Sequence, residues 1–272
     1  MMKFVFSFLF LALHVLVSAQ QKWEIRFYTE TVNREIFIYA DNDEPMPMSA
    51  QYKFKLVNLD NTLRNGEIVV VPAKTKKFLI AKLSPIELKS GNQFSFTNSF
   101  NFGDARQQNY DVNYVYSLPF ETGKTQLIYQ GYNGKFSHSG EFSLDFNLQT
   151  GDAVMAARDG IVTEVTDHNT KSCPSISCAN YNNRILIMHS DGTFADYAHL
   201  KYKGTTVKKG DRVEKGQLIG YSGNTGFSSG PHLHFAVFLN RIDGKRVFIR
   251  TKFQTSAGEQ ILQKGKSYTK NY

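Results

Sequence analysis

The sequence predicts a mostly β protein in two parts: a β-sandwich-like N-terminal domain followed by an antiparallel β-sheet domain. Three observations carry this. Short alternating runs of about 4–6 residues recur through the first hundred residues, separated by polar turns. Phe and Tyr number 22 and 14 among 272 residues, a share that suits pleated strands better than a helical bundle. Helical periodicity is weak throughout, with Ser256–Lys264 its one faint trace. A hydrophobic share of 41% with only seven prolines excludes a disordered or collagen-like chain, and a charged share of 21% excludes a polytopic membrane protein.

Met1–Ala19 is expected to be a signal peptide. Lys3 precedes an apolar run from Phe4 to Val17, and Val17-Ser18-Ala19 offers small residues at a cleavage site. The run of about 14 residues is short of the roughly 20 that a membrane span needs. An uncleaved anchor is the rival reading, and no Cys follows the run to carry a lipid. The expected destination is the periplasm or the cell exterior. Removing Lys3 with this segment lowers the formal charge from +8 to +7.

Residues 20–118 form the accessory β domain. Glu24–Tyr28, Glu35–Tyr39, Tyr52–Val57, Ile68–Val71 and Phe94–Phe96 read as strands, with turn chemistry at Asp41–Pro47 and Asn58–Asn61. No His and no cluster with ligand spacing occurs here, so a scaffold or targeting role is expected. After Pro119 glycine becomes frequent and six of the seven histidines follow. Gly160–Val165 and Arg184–Met188 read as strands. Residues 119–252 are expected to be a second domain and 253–272 a C-terminal extension.

Cys173 and Cys178 are the only cysteines. An even pair in an exported chain points to a disulfide. A zinc-ligand pair and two free thiols are the alternatives. The excess of Lys and Arg over Asp and Glu, 32 to 24, favours an anionic partner. Nucleic acid is ranked last, because no recognition motif accompanies the charge. The Gly220–Gly230 segment lacks the spacing of a nucleotide-binding loop.

The chemistry gathers at five residues. Gly230-Pro231-His232-Leu233-His234-Phe235-Ala236-Val237 reads as a strand with His232 and His234 on one face, about 6.6 Å apart. Such a pair can share a metal, or one can bind it while the other acts on substrate. Asp145 lies between Leu144 and Phe146, where a half-buried carboxylate needs a partner or a metal. With His138 and a second His it would complete a three-ligand zinc site with an open fourth position. His199 ends the run Phe194–Ala198. His189 sits at a hairpin turn beside Ser190-Asp191-Gly192 and reads as structural, and His168 reads as a surface residue.

Taken in order, His138…Asp145, Gly151–Val162, Asn183–Thr193, Tyr197–Leu200 and Gly223–Phe235 closely resemble the lysostaphin-type zinc endopeptidases that cut peptidoglycan. The resemblance covers about residues 130–240 and none of the N-terminal hundred. It implies one zinc ion, held by His138, Asp145 and His234, and two catalytic histidines, His199 and His232. Six residues separate His138 from Asp145, against three in the compact form of the family motif. The implied activity is hydrolysis of wall peptides, with neither nucleic acid nor, after signal removal, membrane as partner. A non-catalytic wall-binding or regulatory protein and a metallopeptidase of glycine-rich proteins are the competing readings.

Overall fold

The computed structural model describes residues 23–272, so the expected signal peptide lies outside the described residues. The described residues are 51% strand and 2% helix, which bears out the mostly β expectation. Its single helical turn among the described residues is a 3-10 segment, Ile176–Tyr181. None of the described helices is long and apolar enough to cross a membrane.

The first seven strands make two facing sheets. One orders Ile25–Val32, Glu35–Asn42, Thr75–Pro85 and Leu59–Asn61; the other orders Ile68–Val71, Met48–Val57 and Gln93–Phe102. Alternation selects the core. Ile36, Ile38 and Ala40 from one sheet and Met48, Ala50 and Tyr52 from the other are all buried.

The larger sheet has nine strands. Its path runs Arg212–Val213, Gly160–Thr166, Arg184–Met188, Phe194–Ala198, Leu233–Asn240, Ser143–Phe146, Thr125–Gln130 and Ser267–Thr269. One edge of Leu233–Asn240 is shared end to end: Ser143–Phe146 pairs with its first half and Arg246–Ile249 with its second. The strand is buried on both faces, which is why its apolar tail is continuous. Leu233, Phe235 and Val237 point into one core. Phe238, with Leu186 and Phe194, packs into the core of the N-terminal sandwich.

The two parts therefore share a hydrophobic seam. The rings of Phe102 and Phe194 meet edge to face at 5.0 Å. A Cβ on Gly103 would stand 2.8 Å from the Phe194 ring, and its φ of +83° also favours glycine. Asn240 donates to the Phe102 carbonyl at 3.1 Å, and Lys209 pairs with the fully buried Glu44 at 2.7 Å.

Two expectations for the C-terminus are corrected. Residues 253–272 are no appendage: Phe253, Leu262 and Tyr268 belong to the large-domain core, and Ser267–Thr269 pairs with Thr125–Gln130. The faint helical trace at Ser256–Lys264 is instead a hairpin, in which Gly258–Gln260 pairs with Lys252–Thr255. Gly258, the first residue after the turn, has a φ of +94° that no helix contains.

Candidate metal centre

The centre forms where the Ser143–Phe146 and Leu233–Asn240 strands pair. Asp145 stands directly opposite His234 in the antiparallel register, so strand pairing alone brings a carboxylate and an imidazole together. His138 arrives from the connection before Ser143, held by its own backbone bond to Gly134 and by Glu141 bonding back to it. Its side chain is fully buried. The longer spacing between His138 and Asp145 thus still delivers both to one point.

Three atoms converge there. His138 Nε2 is 3.2 Å from His234 Nδ1 and 3.2 Å from Asp145 Oδ1, and His234 Nδ1 is 3.1 Å from Asp145 Oδ1. These residues form a group that could hold a metal ion. The surrounding bonds prepare it. His138 Nδ1 lies 3.1 Å from the Gly131 carbonyl, which can only accept, so the hydrogen sits on Nδ1 and Nε2 offers its lone pair. Gln130 donates to Asp145 Oδ2 at 3.0 Å and is itself braced by Ser137 at 2.7 Å. Burial pushes the Asp145 carboxyl up, but its interactions with the His138 and His234 imidazoles outweigh that and hold it below the usual range. For His234 burial works downward and Asp145 upward, with a net rise. Protons and a cation would compete for this cage.

Two further histidines flank it. His199 sits between the Phe194–Ala198 and Leu200–Thr205 strands at φ +64°, a left-handed conformation held because its N–H donates to Asn182 Oδ1 at 2.8 Å. Its Nδ1 donates to the Thr225 carbonyl at 2.7 Å. His232 Nδ1 lies 2.9 Å from the Gly230 carbonyl and 3.3 Å from Ser228 Oγ. Both rings thus share a tautomer with Nε2 unprotonated, and their centroids are 4.4 Å apart. Burial, with the neighbouring histidines, pushes His199 down to about 3. Burial also lowers His232, against the pull of Asp145.

All five residues singled out in the sequence lie together. His189 does not: it is buried at a turn, with Nδ1 donating to the Asp159 carbonyl at 2.8 Å. His168 is exposed. Cys173 and Cys178 are disulfide-bonded, which removes the readings as free thiols or metal ligands.

Sequence reasoning missed Tyr129 and Gln130. The Tyr129 ring stands edge-on to His232 at 5.3 Å and is 37% exposed. Burial and the Asp145 charge keep its phenol protonated, a hydrogen-bond donor at the mouth of the site. Among 14 tyrosines nothing marked it beforehand. Only the pairing of Gln130 with Asp145 in neighbouring strands reveals it.

Residues 138–248 match the model of peptidase family M23. Glycyl-glycine endopeptidase ALE-1 of Staphylococcus capitis is 32% identical over 160 residues, covering 57% of this chain and 39% of that protein. Peptidoglycan DD-endopeptidase ShyA of Vibrio cholerae is 36% identical over 95 residues, covering 35% of this chain and 19% of that protein. The chain thus spans well under half the length of these curated relatives. The crystallised catalytic domain of lysostaphin from Staphylococcus simulans is 32% identical, with 42% of this chain and 79% of that domain covered and a TM-score of 0.33. The family match begins at the first candidate ligand, and residues 138–248 are a peptidase family M23 domain.

Proposed function

We propose that this chain is an exported zinc endopeptidase that hydrolyses peptide bonds in bacterial cell-wall peptidoglycan. The observation that carries the reading is the triangle of His138 Nε2, His234 Nδ1 and Asp145 Oδ1, with edges of 3.1–3.2 Å. Tetrahedral zinc with bonds of about 2.0–2.1 Å sets its ligand atoms roughly 3.3 Å apart, so this donor set fits zinc and leaves a fourth position open. When bound, zinc supplies a water of lowered pKa and polarises the scissile carbonyl.

The chain's own groups supply the rest. His199 and His232 each present a bare Nε2 beside the triangle, and His232 Nε2 is 3.7 Å from Asp145 Oδ1. One takes the proton from the attacking water, and an imidazolium then returns a proton to the leaving amine as the C–N bond breaks. The backbone carbonyls of Thr225 and Gly230 hold the two rings in the tautomer that this requires. The Tyr129 hydroxyl is placed to donate to the carbonyl oxygen as negative charge grows on it.

Peptidoglycan as substrate is supported by the relatives, one named for glycyl-glycine bonds and one for peptidoglycan. The basic charge suits an acidic wall, and the signal-like N-terminus suits export. On this reading residues 20–118 are an accessory module and 119–252 the catalytic unit. The test is mass spectrometry of muropeptides released from defined walls with and without a chelator. Soluble fragments bearing one new amine, lost with chelator and restored by zinc, are expected. Binding to insoluble wall without release would mark a wall-binding protein instead. Cleavage of glycine-rich proteins but not of wall would move the substrate.

A further inference from the structure

Both histidines beside the metal centre hang from one small loop. Cys173 and Cys178 close it through their disulfide, with Cα atoms 5.8 Å apart. Its first limb, Ser172–Cys173, pairs in parallel with Gly226–Phe227. Gly226 N donates to the Lys171 carbonyl at 2.8 Å and Ser228 N to the Cys173 carbonyl at 3.2 Å. These two bonds adjoin the groups that orient the histidines: the Thr225 carbonyl on His199, and Ser228, whose Oγ lies 3.3 Å from His232 Nδ1 and donates at 2.8 Å to the Gly230 carbonyl that holds that ring. The second limb ends at Asn182, whose Oδ1 accepts the His199 N–H, and at Asn183, whose N–H donates to Thr225 Oγ1 at 3.0 Å. Gly226 joins the limbs tightly: a Cβ there would lie 2.8 Å from both Cα and Cβ of Asn182.

We propose that the Cys173–Cys178 bond is a positioning device for His199 and His232, which makes hydrolysis conditional on the oxidised loop. The proposal rests on the peptidase reading above and adds a requirement to it. Packing alone does not fix the loop, since Pro174 to Ser177 are exposed and Cys178 is its one buried member before Ala179. The metal ligands are held otherwise, by Gly131, Gln130 and one another. Opening the bond therefore separates the fate of the histidines from that of the metal. Reduction by a phosphine takes two electrons and two protons to give two thiols; the phosphine leaves as its oxide, its oxygen drawn from water. The limbs then part, and Thr225 and Asn182 no longer hold His199 from opposite sides. A displacement of about 1 Å at such a group costs on the order of 10²-fold in rate.

The experiment uses the full chain with zinc bound and a soluble cross-linked muropeptide. Turnover, KM and zinc content are measured for the oxidised protein, after phosphine treatment, after reoxidation, and for Cys173→Ser/Cys178→Ser. The expected result is a fall in kcat of at least about tenfold with KM and zinc content held, reversed by reoxidation in the parent only. Unchanged kcat in the reduced parent or the double variant overturns the proposal. Parallel loss of zinc and kcat overturns it too, because the loop would then serve the metal. Should the double variant not fold, Asn182→Ala keeps the bond and removes the His199 contact; unchanged kcat there has the same overturning force. An oxidised parent that hydrolyses nothing defeats the peptidase reading itself, and this proposal with it.

Discussion

The Nδ1 of His199 lies 2.7 Å from the carbonyl oxygen of Thr225, and that contact decides which nitrogen faces the metal centre. A carbonyl accepts and cannot donate, so Nε2 carries the lone pair. On the proposed mechanism, replacing His199 by Ala removes a proton-transfer group while leaving His138, Asp145 and His234 in place. Muropeptide hydrolysis should fall by about 10²–10⁴-fold. Zinc content should stay at the parental level. A variant that digests as fast as the parent would remove His199 from the mechanism.

Gln130 touches no metal ligand atom in the triangle; it holds the other oxygen of Asp145 at 3.0 Å. Groups in that position orient a ligand and raise its basicity, and their loss typically weakens metal binding by about 10–100-fold. Gln130→Ala should therefore need more zinc to reach full activity, with kcat at saturating zinc close to parental. Asp145→Asn should lose zinc outright. Equal zinc affinity in parent and Gln130→Ala, read by competition with a fluorescent chelator, would refute the orienting role.

Much of this centre was legible because strand geometry is periodic. His232 and His234 had to share a face, and Asp145 between Leu144 and Phe146 had to enter a half-buried environment. The assignment of individual ligands came from the resemblance of five ordered segments. What stayed hidden depends on pairings far apart in sequence. Thr225 acts through its backbone carbonyl, which every residue possesses, and Asn182 through a single oxygen brought close by the disulfide loop. The C-terminal strand Ser267–Thr269 reads as an extension in sequence because its partner, Thr125–Gln130, precedes the entire candidate metal site. No local pattern announces such an edge.

Tyr129 offers a third test. Its phenol pKa lies far above neutrality, so it acts as donor and not as base. Tyr129→Phe keeps the ring against His232 and deletes only the hydroxyl. Loss of one donor to a developing oxyanion costs about 10²–10³-fold in turnover. The expected signature is reduced kcat with KM and zinc content unchanged. A change confined to KM would make the residue a binding contact only.

His189 sets an acid limit on stability independent of the metal. Burial, assisted by the nearby Arg158 charge, pushes its pKa from 6.5 down to about 4 against the upward pull of the Asp159 carbonyl. Its Nε2 is buried with no hydrogen-bond partner, so a proton arriving there would find no acceptor. Between pH 6.5 and about 4 the unfolded chain takes up a proton that the folded chain refuses. Folding stability must therefore fall as pH drops through that window, by roughly 3 kcal/mol in all, and level off below it. His189→Gln removes the titrating group and should flatten this part of the profile, although it lowers stability at neutral pH through imperfect packing. Urea unfolding of both proteins from pH 7 to pH 4 reads the difference directly. Parallel curves across the window would show that His189 is protonated in the folded protein as readily as in the unfolded chain.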